Sequence, residues 1–284
     1  MGVLGVQFKL DGNNLGAEDT AAPYQISWDS TTAANGTHAL SAIARDAAGN
    51  RGTSSAVNIT VSNAPQPSTL AIDQTVYADQ GGASPTNTTA AFSTTAPNEL
   101  LLAFIASDTP SGVTTSVTAV TGAGLTWELV KRTNAQPGTS EIWRAFALTA
   151  LTNVAVKATF STSVSSSITV VTFKGVSTVG TNGSGAIGAA ATANAASGAP
   201  SASLVTTKNN SWVFGVGSDW DNAISRTIGP SQAMVHQYLS PVGDTYWVQR
   251  RTSPTPSSGT TVTINDTAPT TDRYNLSIVE ILPQ

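Results

Sequence analysis

Apolar and polar residues alternate with a period of two in short runs near the start of the chain, which is typical of β-strands with one buried face. These runs lie at residues 6–10, 24–28, 38–44 and 56–61. The segments 11–14 and 46–50 are rich in Asp, Asn and Gly and therefore predict tight turns. No stretch of helical length shows a 3.6-residue apolar repeat, so the pattern predicts an all-β protein.

Residues 69–284 contain a diverged internal duplication. Three pairs of segments correspond at an offset of about 110 residues, which is longer than the repeat of a solenoid or propeller: 92–108 with 204–219, 139–144 with 244–250, and 167–173 with 275–281. Two related halves, about 69–180 and 199–284, predict one two-sheet sandwich of the jelly-roll type with about five strands in each half. Residues 100–106 and 212–216 are apolar on both faces, which predicts central strands.

The first 63 residues carry an ordered series of motifs. These are Phe8-Lys9-Leu10-Asp11-Gly12, Pro23-Tyr24, Trp28-Asp29, Asn35-Gly36-Thr37-His38 and Ala44-Arg45-Asp46-Ala47-Ala48-Gly49-Asn50. The series resembles the bacterial immunoglobulin-like modules that are strung along secreted proteins. The resemblance implies an extracellular sandwich over residues 1–63, followed by a Pro-containing linker at 64–68.

Such modules normally begin with two further strands upstream of the Phe8 strand, and this chain starts after them. A sandwich that lacks two strands exposes a sheet edge and an apolar face, and both favour strand addition. We expect the missing strands to be replaced by packing against the second domain or by a strand from another chain. Head-to-tail strand donation between copies would build a filament. The alternative is a truncated chain start without functional meaning.

The second part resembles C-terminal domains of uncharacterised secreted bacterial proteins, which occur beside immunoglobulin-like modules and carbohydrate-active enzymes. The matching stretches are 125–132, 219–222 and 265–273. The resemblance implies an extracellular setting and polysaccharide as a partner, but it assigns no role to any residue.

Composition narrows the function classes further. Charged residues make up 11 % of the chain, against about 25 % in an average protein. The net charge is −4 and the 13 Lys and Arg are scattered, which disfavours nucleic acid or an anionic membrane as a partner. There is no Cys, no apolar run of membrane-spanning length and no signal-peptide pattern at the start. We interpret the chain as a fragment of an exported precursor that acts outside the cell or at its surface.

No motif predicts catalysis. Residues 183–188 satisfy G-x-G-x-x-G, but residues 189–198, which follow, show no helical pattern, so we expect a flexible Ala/Gly/Ser connection between the halves there. A nucleophile elbow is absent, and His38 is expected to make a structural hydrogen bond at a strand end. The sequence therefore predicts a protein that is not an enzyme.

Two kinds of binding site remain. Asp219, Asp221 and Asn222 offer the hard oxygen ligands that Ca²⁺ prefers, with Asp244, Asp266 or Asp272 as further ligands from neighbouring loops. The alternative is that these side chains cap turns, and the same ambiguity applies to Asp46 and Asn50.

Aromatic side chains form the other candidate site. Trp220 lies between two acids at an expected strand end, and Tyr246 and Trp247 are adjacent, so one of them should point outward. With His236, which could face a cleft, they are the candidates for a glycan platform. The other four Trp, at positions 28, 127, 143 and 212, are expected in the core. The preferred function is structural or adhesive, completed by strand addition; the alternative is a carbohydrate-binding accessory module.

Overall fold

The chain divides into two compact units, Met1–Gln66 and Pro67–Gln284. The structure is a computed structural model that describes residues 2–61 and 69–284. The linker predicted at 64–68 lies outside the described residues. Every regular element of these residues apart from two single turns of 3-10 helix is a β-strand, so the prediction of an all-β protein is confirmed.

The first unit is one antiparallel sheet. Its strands are β1 (Val3–Leu10), β2 (Asn13–Asn14), β3 (Gly36–Asp46), β4 (Arg51–Thr53) and β5 (Val57–Val61). β1 and β2 form the predicted hairpin across Asp11 and Gly12, whose positive φ angles of 50° and 82° suit a tight turn. β3 pairs β1 on one side and both β4 and β5 on the other. The prediction of a strand at 24–28 is wrong, because this segment pairs with no strand of the sheet.

The second unit begins with six strands that form one continuous sheet. They are β6 (Ala71–Thr88), β7 (Glu99–Ser107), β8 (Val117–Gly122), β9 (Glu128–Thr133), β10 (Thr139–Ala147) and β11 (Val156–Lys174). Its main order is β6-β11-β7-β10-β9. The pairing of the long strands β6 and β11 is irregular near Val164. The part of β11 before this irregularity, Val156 to Phe160, also pairs with β8.

Eight further strands complete the unit. They are β12 (Ile187–Ala195), β13 (Ser201–Val205), β14 (Trp212–Asp219), β15 (Thr227–Ile228), β16 (Gln232–Leu239), β17 (Thr245–Arg251), β18 (Thr261–Ala268) and β19 (Tyr274–Ile281). They form a five-stranded sheet in the order β12-β19-β14-β17-β16 and a three-stranded sheet in the order β13-β18-β15. The five-stranded order repeats that of the first half, as the sequence duplication predicts.

The connection between the halves differs from the expectation. Residues 189–198 are predicted to be a flexible link, but β12 covers most of them and pairs along β19. Small Ala side chains fit here because the inner face of β12 packs against the core below the outer sheet. The G-x-G-x-x-G segment is a single 3-10 turn followed by this strand, and therefore lacks the helix N-terminus that a dinucleotide site needs.

Three apolar layers hold the second unit together. The central layer joins the β6-β11-β7-β10-β9 part of the first sheet to the five-stranded sheet of the second half, with Phe104 and Phe173 packed against Phe214. A second layer lies between the same part of the first sheet and the strand segments around β8, and a third lies beneath the β13-β18-β15 sheet. β7 and β14 are buried along their whole lengths, so the prediction of central strands is confirmed. The second unit therefore has more layers than the two-sheet sandwich expected from the sequence. Each half places further strands over its own outer face: β8 with part of β11 in the first half, and β13-β18-β15 in the second.

Candidate functional site

The first unit presents an open apolar face. Phe8 and Leu10 of β1 lie opposite Ala42 and Leu40 of β3, so their side chains share one face of the sheet. A groove of about 490 Å³ runs over this face and is lined mainly by Phe8, Leu15, Ile26, Trp28, Leu40 and Val57. Among residues 2–61, only Val6 and Val61 are buried hydrophobic residues. The single sheet therefore has apolar surface without a closed core.

One edge of this sheet is also open. β5 pairs β3 through one of its two edges, and within the described residues no strand pairs the other. Its sequence, Val57-Asn58-Ile59-Thr60-Val61, is uncharged and β-branched at every position except Asn58, and Val57 is 62 % exposed. Such an edge lacks the charges and prolines that normally block strand addition.

His38 has the structural role that the sequence predicts. Its Nδ1 lies 2.6 Å from Asp11 Oδ2 and its Nε2 lies 2.8 Å from the Ala34 carbonyl oxygen. The hydrogen bond to Asp11 raises the pKa of His38. The pair ties the β1–β2 turn to β3 and is part of the scaffold rather than of a reactive site.

A polar cleft of about 420 Å³ opens at one end of the second unit. The loop after β7 and the loop between β9 and β10 form two of its walls, and Trp220 and Arg273 close it from the second half. The side chain of buried Asn275 fixes one wall, because its Nδ2 donates to the carbonyl oxygens of Gln136 and Pro137 at 3.0 and 3.2 Å. The cleft is thus held in shape by the packing of the two halves against each other.

Trp220 is half-buried at the edge of this cleft, immediately after β14. Its indole Nε1 donates to Asp108 Oδ1 at 2.9 Å, and the guanidinium carbon of Arg273 lies 5.4 Å from the ring centroid. The hydrogen bond fixes the orientation of the indole. The structure therefore places Trp220 where a ligand in the cleft can reach part of it.

A buried acidic cluster lies beside the cleft. Asp219 pairs with Arg226, and both side chains are fully buried. Burial raises the pKa of Asp219 to about 7 although Arg226 opposes this. Burial likewise raises the pKa of Asp266 to about 7 and that of Asp244 to about 8. These groups lie inside the fold, where uncompensated charge is costly, and Arg226 also stacks on Trp247.

The three cation candidates do not converge. The Asp219 carboxylate faces Arg226, whereas Asp221 accepts a hydrogen bond from the backbone N–H of Arg273 at 2.7 Å. Asn222 donates to Asp272 Oδ1 at 3.3 Å. Asp219 also accepts from the Asp221 N–H, which is the turn-capping alternative. In residues 2–61 and 69–284, no group of three or more His, Asp or Glu side chains has the geometry to hold a metal ion.

Two of the glycan candidates need correction. Tyr246 and Trp247 are each 1 % exposed, so neither can form a solvent-facing platform. The reason is that β17 is covered on both faces: Tyr246 belongs to the central layer and Trp247 to the layer beneath the outer sheet. The adjacent side chains do point to opposite faces, as expected, but both faces are interior.

His236 lies on β16 and faces β6 rather than the cleft. Its Nε2 is 3.0 Å from both carboxylate oxygens of Asp79, and its ring stacks on Tyr77 with 3.9 Å between centroids. No Ser or Thr hydroxyl among the described residues hydrogen-bonds to His236, so the geometry of a nucleophilic triad is not present there.

Sequence reasoning missed several residues that shape these sites, namely Arg273, Asn275, Asp108, Arg226 and Asp79. Asp108 and Trp220 are more than 100 positions apart, and so are Asp79 and His236. The duplication aligns Asp108 with Asp219, which was the available signal that both lie at the same end of the sandwich.

Comparison with known protein families identifies a bacterial Ig domain at residues 1–42. The match supports the immunoglobulin-like module predicted there, a non-enzymatic type of domain that suggests an extracellular structural or adhesion-type module. Neither the comparison with curated proteins nor that with solved structures found a match. Among the described residues, no helix has the length and apolar character needed to cross a membrane.

Proposed function

We propose that the protein is an extracellular structural or adhesive β-sandwich that associates with a second copy of itself through its immunoglobulin-like unit. The observation that carries the proposal is the open apolar face of that unit, with its groove over Phe8, Leu40 and Val57. A contiguous exposed apolar surface of this kind is typical of an interaction site.

The second copy is favoured by the chemistry of β5. Residues 52–61 contain no charged side chain, so two β5 edges can approach without repulsion between like charges. Antiparallel pairing of two such edges would satisfy the free backbone groups and place β-branched side chains opposite each other. The apolar faces would then form a continuous surface across the two-fold axis.

Substitution of Val57 by Lys tests this interface. The charge would lie on the open face at the pairing edge, so we expect the mass by light scattering to fall from that of a dimer to that of a monomer. Val179→Lys is the matched control, because Val179 is also an exposed valine but lies in the second unit.

A parent protein that is monomeric at all concentrations would contradict the proposal. Open-ended polymers in place of dimers would indicate head-to-tail strand donation, and this is the filament-forming variant of the same function.

A second candidate function is carbohydrate binding, and the cleft beside Trp220 favours it. Trp and Tyr rings at the edge of a concave polar site are typical of sugar recognition. We expect Trp220→Ala to abolish retention of the protein by a polysaccharide in affinity gels. Tyr77→Ala is the control, because Tyr77 is an exposed aromatic outside the cleft. Equal retention of Trp220→Ala and the parent would exclude this site.

A further inference from the structure

The charge of the Trp220 cleft differs from that of the whole protein. The chain carries a net charge of −4, yet among the described residues that line the cleft Arg273 is the only charged one. The remaining polar groups include the side chains of Ser111, Asn134 and Gln136. Arg273 is therefore the charged group that a ligand in the cleft would meet, although the carboxylates of Asp108 and Asp221 lie next to Trp220 and Arg273.

The guanidinium of Arg273 is incompletely paired. Its nearest carboxylate oxygen belongs to Asp221 and lies 3.9 Å from Nε, beyond hydrogen-bond distance. Nε is buried and has no hydrogen-bond partner, while the side chain as a whole is 32 % exposed. Arg226, which is fully buried, pairs through Nη2 with Asp219, although its Nε and Nη1 also lack partners. Arg273 thus retains donors for a ligand.

Arg273 also covers Trp220 only loosely. Its guanidinium carbon is 5.4 Å from the indole centroid, whereas the other two Arg–Trp contacts, Arg226 with Trp247 and Arg250 with Trp212, measure 4.5 and 4.7 Å. The longer distance is near the limit of about 6 Å for a cation–π contact. A small movement of the arginine would expose the ring while keeping its charge in the cleft.

We propose that this cleft binds an acidic polysaccharide, with the C–H face of a uronate residue against Trp220 and its carboxylate paired with the Arg273 guanidinium. The proposal rests on the second candidate function above and names its ligand class. A planar guanidinium recognises carboxylate with two parallel hydrogen bonds, which a neutral sugar cannot supply. The walls are held in advance by Asn275, so binding requires little ordering of the protein.

The experiment compares migration of the full chain in native gels that contain polygalacturonate, alginate or dextran. The first two polymers carry carboxylates on different linkages, and dextran is neutral. We expect retardation by at least one acidic polymer and none by dextran, with weaker retardation as salt is raised. Because the protein is itself acidic, general charge attraction would not produce this result.

Two arginine variants distinguish recognition of a carboxylate by Arg273 from the effect of removing any positive charge. We expect Arg273→Gln to weaken binding at least tenfold. Arg250→Gln is the matched control, since it removes the same charge and also uncovers an indole, but outside the cleft. Far-ultraviolet circular dichroism checks that each variant is folded.

Failure of the acidic-ligand proposal can be distinguished from failure of the carbohydrate-binding function. Retention by dextran as strong as by the acidic polymers, or unchanged binding of Arg273→Gln, would overturn the acidic ligand while leaving carbohydrate binding in place. If no polymer retards the parent protein, both the ligand class and the carbohydrate-binding function are overturned.

Discussion

Asp266 and Asp244 are carboxylic acids that the fold buries at the ends of strands. Asp266 is 2 % exposed and faces Arg226 and Gln249, both of which lower its pKa, yet burial outweighs them and raises the pKa to about 7. Burial also raises the pKa of Asp244 to about 8, although Tyr246 donates a hydrogen bond to it. At these two residues, loss of hydration decides the protonation state.

Because these pKa values are raised in the folded state, the free energy of unfolding should decrease as pH rises. Between the unfolded pKa of about 3.9 and the raised folded values, the folded state holds more protons than the unfolded state, so the free energy of unfolding decreases with increasing pH. We expect the protein to be more stable at pH 5 than at pH 8, by an amount on the order of a few kcal/mol, measured by urea unfolding.

Asp266→Asn should flatten this dependence, because it removes one of the groups that titrates. Asp221→Asn, at a partly exposed carboxylate of the same unit, is the matched control. Equal stability of the parent at pH 5 and pH 8 would refute the argument.

The central strand β14 has a glycine at the position where a tryptophan ring of the neighbouring strand packs against it. It is buried on both faces, and its Gly217 lies opposite Trp247 of β17 in the antiparallel register. A Cβ atom at position 217 would lie 2.5 Å from both Cε2 and Cη2 of the indole. Glycine in a central strand usually weakens it, and here it marks a close approach of an aromatic ring.

Substitution of Gly217 by Ala should therefore destabilise the second unit by about 1–3 kcal/mol, the usual cost of overpacking a core. The measurement is the free energy of unfolding in urea. Gly82→Ala is the matched control in the same unit, because its Cβ would have ordinary contact at 3.8 Å and no positive φ is required. A loss no larger than that of the control would mean that the indole can move aside.

At the scale of the whole molecule, the two units are stabilised very differently. The second unit has three apolar layers, whereas residues 2–61 bury only Val6 and Val61 among their hydrophobic side chains. Small domains bury a lower fraction of their surface and are marginal even with a closed core. The first unit by itself therefore has little to offset the conformational entropy that it loses on folding.

We expect two separate events in thermal unfolding of the dilute monomer, with the first unit unfolding at the lower temperature. Amide hydrogen exchange should show fast exchange across β1 to β5 and slow exchange in β7, β14 and β19. Residues 67–284 produced alone should retain the upper transition. A single cooperative transition with uniform protection would contradict this independence.

Local patterns account for five of the strands. Alternation at 6–10, 38–44 and 56–61 predicts β1, β3 and β5, and the continuous apolar runs predict β7 and β14 as central strands. The segment 24–28 shows the limit of this reasoning, because it alternates in the same way but makes no ladder. Whether an alternating segment pairs depends on a neighbouring strand, which periodicity does not encode.

The sequence by itself determined the all-β class, the immunoglobulin-like start and the duplication of the second part. Each of these depends on residues that are close together in the chain or on segments that recur in the same order. The tertiary structure alone decided which side chains are interior and which meet. It buried Tyr246 and Trp247, turned His236 toward Asp79, and brought Arg273 to Trp220. The physical reason for the first is that a side chain is buried only if another sheet packs over its strand. The reason for the second is that a binding cleft is formed by loops that are distant in the chain and meet only when the sheets pack together.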